Sequence, residues 1–221
     1  MLAPYYLRDK GNCDLGHVTN PLLSYGYSIG LHPEWKDGEN YKLRIVNLSK
    51  SIDTLWDELE GRCRTAVRRG RKNNLVTEIG NSTKLLSAFS DLKSGGETYH
   101  SYDIQNMENM KENLKDSVQI AVTYHGEIPI CATVYHCYKN GILYYANAQS
   151  AEYKHLSPNN LNKWSMIEWG NKNGYQFMDI GNYYEKQYKL IDQKGYNVGK
   201  YKSSFGKDYV VPFYGYKEYN K

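Results

Sequence analysis

The chain has little that could anchor a metal, a disulfide framework or a membrane span. Its 221 residues hold four cysteines, Cys13, Cys63, Cys131 and Cys137, with no C-x-x-C pair among them. That spacing points to packed thiols rather than zinc ligands or a set of bridges. No run approaches the roughly 18 consecutive apolar residues of a membrane helix. The N-terminus carries no charged-then-apolar signal segment either. A reduced, cytoplasmic setting without integral membrane association is therefore expected. Internal repeats and low-complexity segments are absent, as are paired carboxylates and H-E-x-x-H. A nuclease, hydrolase or metal-dependent reading is accordingly poorly supported.

What the chain does have is tyrosine and a local excess of cations. Against four Phe and four Trp stand 23 Tyr. Many lie in alternating segments, as half-buried sheet faces do, and a polar-tipped aromatic cleft is the other reading. The net charge of +4 is only mildly basic. Within it, Arg62, Arg64, Arg68, Arg69, Arg71 and Lys72 crowd the end of one helical segment. Positive charge suits a helix C-terminus and is often merely solvated. The density also fits a patch for phosphate on a nucleotide, a lipid pyrophosphate, tRNA or CoA, with Arg64, Arg68 and Arg69 as its candidates.

Hydrophobic periodicity orders the rest. Residues 1–40 read as loops around one or two edge strands, an extension to a domain spanning 41–221. Tyr41 to Leu48 alternates as a half-buried strand. A helix capped by Ser49 or Ser51 follows, with an apolar stripe through Leu55, Trp56, Leu59, Cys63, Ala66 and Val67 and a weak point at Gly61. Then come a strand over 74–80, a helix from Ser82 or Thr83 to Leu92, a polar-aromatic loop with Tyr99 and His100, and a helix over 103–114. Strands near 118–124, 128–138 and 142–149 form an antiparallel meander, turning at His125-Gly126-Glu127 and at Asn140-Gly141, the strongest hairpin signal present. A final strand or pair runs through 209–217.

The stretch SPNNLNKWSMIEWGNKNGYQFMDIGN, residues 157–182, organises the whole. Ser157 is placed to cap and Pro158 to open a helix that stops at Asn173-Gly174, followed by a strand over 175–180. Its N-terminus follows the strand YYANAQ, which ends at Gln149, so free N–H groups meet a strand end where an anion could bind.

This order, with LWDELEGRCRTAVRRGRKNNL before it and GKYKSSFGKDYVVPFYGY after it, resembles the FemABX-like branch of the GNAT acyltransferase superfamily. The resemblance implies an α+β fold: a single GNAT-like domain with a central mixed, largely antiparallel twisted sheet flanked by helices. It implies an N-acyltransferase that moves an acyl or aminoacyl group from acyl-CoA, acyl carrier protein or aminoacyl-tRNA to a primary amine of a cell-wall, sugar or peptide acceptor. No tightly bound cofactor is implied, and homodimerisation is left open. Lys202 matches the family lysine credited with stabilising transition-state charge, and Asp179 matches the acid of its D-x-G strand end. Ser157, Asn159, Asn160 and Gln149 fall on the donor side. Arg64, Arg68, Arg69, Tyr99, His100, Tyr145 and Tyr183 fall on the acceptor or phosphate side. Tyr153 to Asn160 contains no glycine where the acetyl-CoA enzymes are glycine-rich, which favours aminoacyl-tRNA, whereas a length for only one domain favours acyl-CoA. The competing class is a non-catalytic GNAT-like module that binds RNA or a phosphorylated glycan.

Overall fold

Short alternating segments joined by tight turns build the centre of the fold. The computed structural model describes residues 27–30, 41–94, 111–112, 115–138, 140–184, 193–206, 210–212 and 215–218. The loop with Tyr99 and His100, nearly all of the helix expected over 103–114 and most of the N-terminal extension lie outside the described residues. In chain order the elements are β1 (Tyr27–Gly30), β2 (Tyr41–Asn47), α1 (Ile52–Glu58), α2 (Gly61–Lys72), β3 (Leu75–Gly80) and α3 (Thr83–Ser94). Next come β4 (Val118–His125), β5 (Ile128–Tyr138), β6 (Gly141–Gln149) and α4 (Pro158–Lys172). The last are β7 (Phe177–Tyr184), α5 (Gln193–Ser203), β8 (Val210–Pro212) and β9 (Gly215–Glu218). This is the α+β class expected, with a largely antiparallel sheet and flanking helices. The chain divides into two compact units, Leu48–Met178 and Met1–Asn47 with Asp179–Lys221.

In the Leu48–Met178 unit the strands lie in the order β3-β4-β5-β6, each pair antiparallel. Gly126, at φ 60, leads the two-residue turn between His125 and Ile128, the place where hairpins use glycine. The next turn sits one residue earlier than the Asn140-Gly141 signal suggests. Tyr138 pairs with Gly141, so Gly141 is already strand. A β-carbon on Gly141 would run into the Phe177 ring, which is why the strand starts on a bare Cα.

Period-two alternation gives this sheet two buried faces of different character. Towards α3 it presents Ile120, Val122, Ala132, Val134, Ala146 and Ala148, packed on Leu85, Leu86, Ala88, Phe89 and Leu92. Each of the Val, Leu, Ile and Phe side chains fully buried contributes roughly 1.5–3 kcal/mol, and each alanine methyl about 0.8 kcal/mol. Towards α4 it presents Thr123, Cys131, Thr133 and Asn147, all hydrogen-bonding groups. α4 in turn ends in a Schellman motif. Gly174 at φ 76 donates to the Asn171 carbonyl, and the Tyr175 N–H to that of Gly170.

The single helix expected over 51–72 is broken in two. Ser51 caps α1 as expected, its Oγ accepting the Thr54 N–H at 3.2 Å. Leu59 is then extended and buried, and α2 begins at Gly61. The break is stabilised by Arg64, whose Nη1 donates to the carbonyls of Trp56, Asp57 and Leu59 around the end of α1, the first of which also accepts the Leu59 N–H.

In the other unit β2 lies between β7 and β8, with Leu43 opposite Val211. β1 pairs with β9. Residues 26–30 read GYSIG, the spacing of a hydrolase nucleophile elbow. Ser28 nevertheless pairs with Lys217 within a strand, not at the strand-to-helix turn an elbow requires.

Gly141→Ala is expected to cost about 1–3 kcal/mol in urea unfolding, since the ring beside it must move. Gly61→Ala, where an added β-carbon meets nothing within 4 Å, is expected to be neutral or slightly stabilising.

Candidate active site

The start of α4 is built by backbone rather than by a cap. A short 3-10 turn, Lys154–Leu156, leads into Ser157, whose N–H donates to the Lys154 carbonyl at 3.1 Å. Ser157 sits at φ 62, ψ 43 and makes no side-chain cap, contrary to the expectation that its hydroxyl would close the helix. The loop without glycine thus still contains the left-handed backbone that glycine adopts most easily. Pro158 follows in the first turn, and the N–H groups of Asn159 and Asn160 there have no acceptor within the helix. The Asn160 side chain ties α4 to α2 through the Cys63 sulfur at 3.6 Å. Gln149 closes β6, half-buried and opposite Cys131.

Beneath that turn lies a polar cluster the sequence does not announce. Lys163, only 1% exposed, donates from Nζ to Asn159 Oδ1 at 3.2 Å and stands 4.5 Å from the Tyr144 ring centre. Asn147 Nδ2 donates to Thr133 Oγ1 at 2.8 Å and to the Ala132 carbonyl at 3.1 Å. Asn162, fully buried, bonds the Ala121 carbonyl and Thr123 Oγ1. Burial pushes the Lys163 ammonium down to about 8, opposed by Cys131 and Cys63. Burial also pushes the Cys131 thiol up to about 11, against the Asn147 hydrogen bond and the lysine.

A β-bulge decides which tyrosine joins this cluster. Val134 pairs with Ala146 but Tyr135 with Tyr144, so Tyr145 is the extra residue. The phase flip sends Tyr144 to the α4 side and Tyr145 to the α3 side. There Tyr145 packs edge-on against His136, with ring centres 4.8 Å apart, beside the apolar cluster. Of the two neighbours, Tyr144 is thus the one beside Lys163.

The basic helix end is partly consumed by structure. Arg64 holds the end of α1, Arg71 pairs with Glu168 at 2.7 Å and Arg62 with Glu60 at 2.7 Å. Arg68 lies over the Trp56 ring at 5.2 Å, and Trp56 meets buried Trp164 edge-on at 5.0 Å. Arg68 and Arg69 are exposed, which leaves them available to an anion.

Asp179 and Lys202 belong to the other unit, both buried, at 1% and 9% exposure. Asp179 Oδ1 accepts the Gly181 N–H at 2.7 Å, and Gly181 is at φ 98, so the D-x-G run is a local kink in β7. Arg44 Nη1 donates to the Gly206 carbonyl at 3.3 Å just beyond α5. Tyr183 lies in β7. Among the described residues no group of three His, Cys, Asp or Glu side chains could hold a metal ion. No described helix is long and apolar enough to cross a membrane.

Two measurements follow from these residues. Unfolded, Lys163 keeps its proton to its ordinary value of 10.5; folded, only to about 8. The unfolded chain therefore binds more protons across that window, and stability rises with pH through it. Below it the penalty is fully present, at roughly 3 kcal/mol. Above pH 9, where unfolded cysteine ionises, the buried Cys131 and Cys137 thiols, raised to about 11 and about 12, act in the opposite sense. The lysine is thus most visible between pH 8 and 9, and Lys163→Met is expected to abolish the rise there in urea unfolding. Ser157→Gly is expected to raise stability by about 1 kcal/mol in the same assay, by relieving a left-handed backbone on a residue with a β-carbon.

The acetyltransferase (GNAT) domain family matches residues 61–190, more than half of the chain. No curated protein matches the chain in sequence. Among solved structures, FemX superposes with a TM-score of 0.68 at 15% identity, covering 89% of this chain and 66% of its own. The L-PGS structure from Bacillus licheniformis gives 0.55 at 14% identity, covering 92% of this chain and 65% of its own. The chain thus spans slightly under two thirds of each of these proteins, and at such identities the likeness is one of fold. The family match takes in α2, the β3–β6 meander, the bulge at Tyr145, α4 and β7, and by that match the chain belongs to the GNAT acetyltransferase domain family, whose chemistry is acyl transfer.

Proposed function

We propose that the protein is an N-acyltransferase that takes an acyl or aminoacyl group from a phosphate-bearing donor, acyl-CoA or aminoacyl-tRNA, to a primary amine on a cell-wall, sugar or peptide acceptor. The observation that carries this reading is the start of α4. Left-handed Ser157 and the first-turn N–H groups come after β6 and the Lys154–Leu156 turn, with Asn159 beside them. N–H groups at a helix start attract phosphate. FemX and L-PGS share this fold, which supports the reading at the level of architecture.

In the reaction the acceptor nitrogen attacks the donor carbonyl carbon. A C–N bond forms, the thioester C–S or ester C–O bond breaks, the nitrogen gives up a proton and the leaving group takes one. Lys202, which matches the family lysine in sequence, is the candidate for offsetting negative charge on the carbonyl oxygen, where a buried ammonium acts strongly. Asp179, whose Oδ1 accepts the Gly181 N–H, is the second candidate from the same sequence match. Arg68 and Arg69 draw a phosphorylated partner towards α2, with Arg68 braced on Trp56.

Calorimetric titration with desulfo-CoA tests the donor site. Saturable micromolar binding that survives ~150 mM salt is expected, because contacts made by charge alone fade under screening. Lys202→Ala is then expected to lower turnover by about 10²–10³-fold without changing desulfo-CoA affinity. If neither desulfo-CoA nor aminoacyl-tRNA binds in this salt-resistant way, acyl transfer by this chain is overturned in favour of a binding module.

A further inference from the structure

Lys163 occupies a place where methionine would fill the same volume without the cost of desolvating an ammonium. Its contacts give that ammonium a directional task. An ammonium can only donate, so the atom of Asn159 that faces it at 3.2 Å is the carbonyl oxygen Oδ1. Asn147 Nδ2 approaches the same oxygen at 3.5 Å. That Nδ2 is itself fixed as a donor by Thr133 Oγ1 and the Ala132 carbonyl. With Oδ1 turned inward, the NH2 of Asn159 is turned away from the cluster. It lies on the first turn of α4, in company with N–H groups that have no helical acceptor. Were Lys163 absent, the amide could rotate and present its oxygen to an anion instead.

We infer that Lys163 is a positioning residue of the donor site: it holds the Asn159 carbonyl oxygen so that the Asn159 NH2 is offered to a phosphate group of the donor. The inference rests on the reading that the donor binds at the start of α4. Lys163 itself, 1% exposed and under the helix, acts through Asn159. Tyr144, placed on this side by the bulge, and the Cys131 and Cys63 thiols are among its neighbours. The arrangement makes an anion-facing donor out of a side chain that could equally present an acceptor.

A double-mutant cycle on desulfo-CoA affinity tests it, using wild type, Lys163→Met, Asn159→Ala and the double variant, with thermal melting of each. Lys163→Met is expected to weaken binding about tenfold in the wild-type background and hardly at all once Asn159 is alanine. Its melting temperature at pH 7 is expected to equal or exceed that of wild type. Lys163→Gln, which keeps an NH2 donor, is expected to recover part of the affinity. Equal losses in both backgrounds, or wild-type affinity in Lys163→Met, overturn the inference while leaving the donor site in place. Should Asn159→Ala bind like wild type, the assignment of Asn159 fails and the inference with it. If desulfo-CoA does not bind wild type, the cycle is read with aminoacyl-tRNA carrying a non-hydrolysable link. Failure of both probes on wild type overturns the donor-site reading itself, an outcome distinct from additivity in the cycle.

Discussion

Everything at the start of α4 depends on burying hydrogen-bonding side chains against a sheet and pairing them with one another, although Asn162 Oδ1 is left without a partner among the described residues. Thr123, Thr133 and Asn147 line one face of β4–β6, and Asn159, Asn162 and Lys163 come down on them from the helix. Buried polar groups cost several kcal/mol unless paired, so this layer admits few arrangements. The opposite face, against α3, has mostly apolar volume to fill, with buried His136 beside it, and tolerates more. One sheet therefore has a face that provides cohesion and a face that provides geometry. The donor side of the proposed reaction lies over the second.

That division explains why the glycine-free loop at Tyr153–Asn160 is compatible with family membership. The left-handed turn is retained on Ser157, and the donors next to it are set by side chains braced from below. In such a design the loop can vary in sequence while the cluster under it fixes where the helix begins. The basic helix end shows the reverse economy: Arg64 and Arg71 are used to hold neighbouring helices, and Arg68 rests on an indole. A run of like charges thereby becomes a few exposed cations on a rigid base.

What could be read beforehand follows from the range of the interactions. The β4–β6 meander, the Gly126 turn and the Asn173-Gly174 stop rest on local alternation and local backbone preference, and each appears where expected. The break between α1 and α2 did not show, because Leu55, Leu59, Cys63 and Val67 continue one helical stripe across it. Its cause, Arg64 reaching back to three carbonyls, is a tertiary contact. The bulge at Tyr145 was equally hidden: nothing in ILYYANAQ says which tyrosine is the extra one. Lys163 was the hardest to see, since a lysine between Asn162 and Trp164 reads as solvent-facing until the sheet beneath it is known to be polar.

The Trp56–Trp164 contact has a consequence of another kind. Two indoles 5.0 Å apart and inclined at 67°, one buried and the other covered by two guanidinium groups, are close enough for their electronic transitions to mix. Trp164 is rooted one residue from Lys163, and Trp56 carries the arginines of the basic helix. The chain therefore contains an optical ruler that spans the basic helix and the polar cluster, and its near-ultraviolet dichroism registers any change in how α1, α2 and α4 lie together.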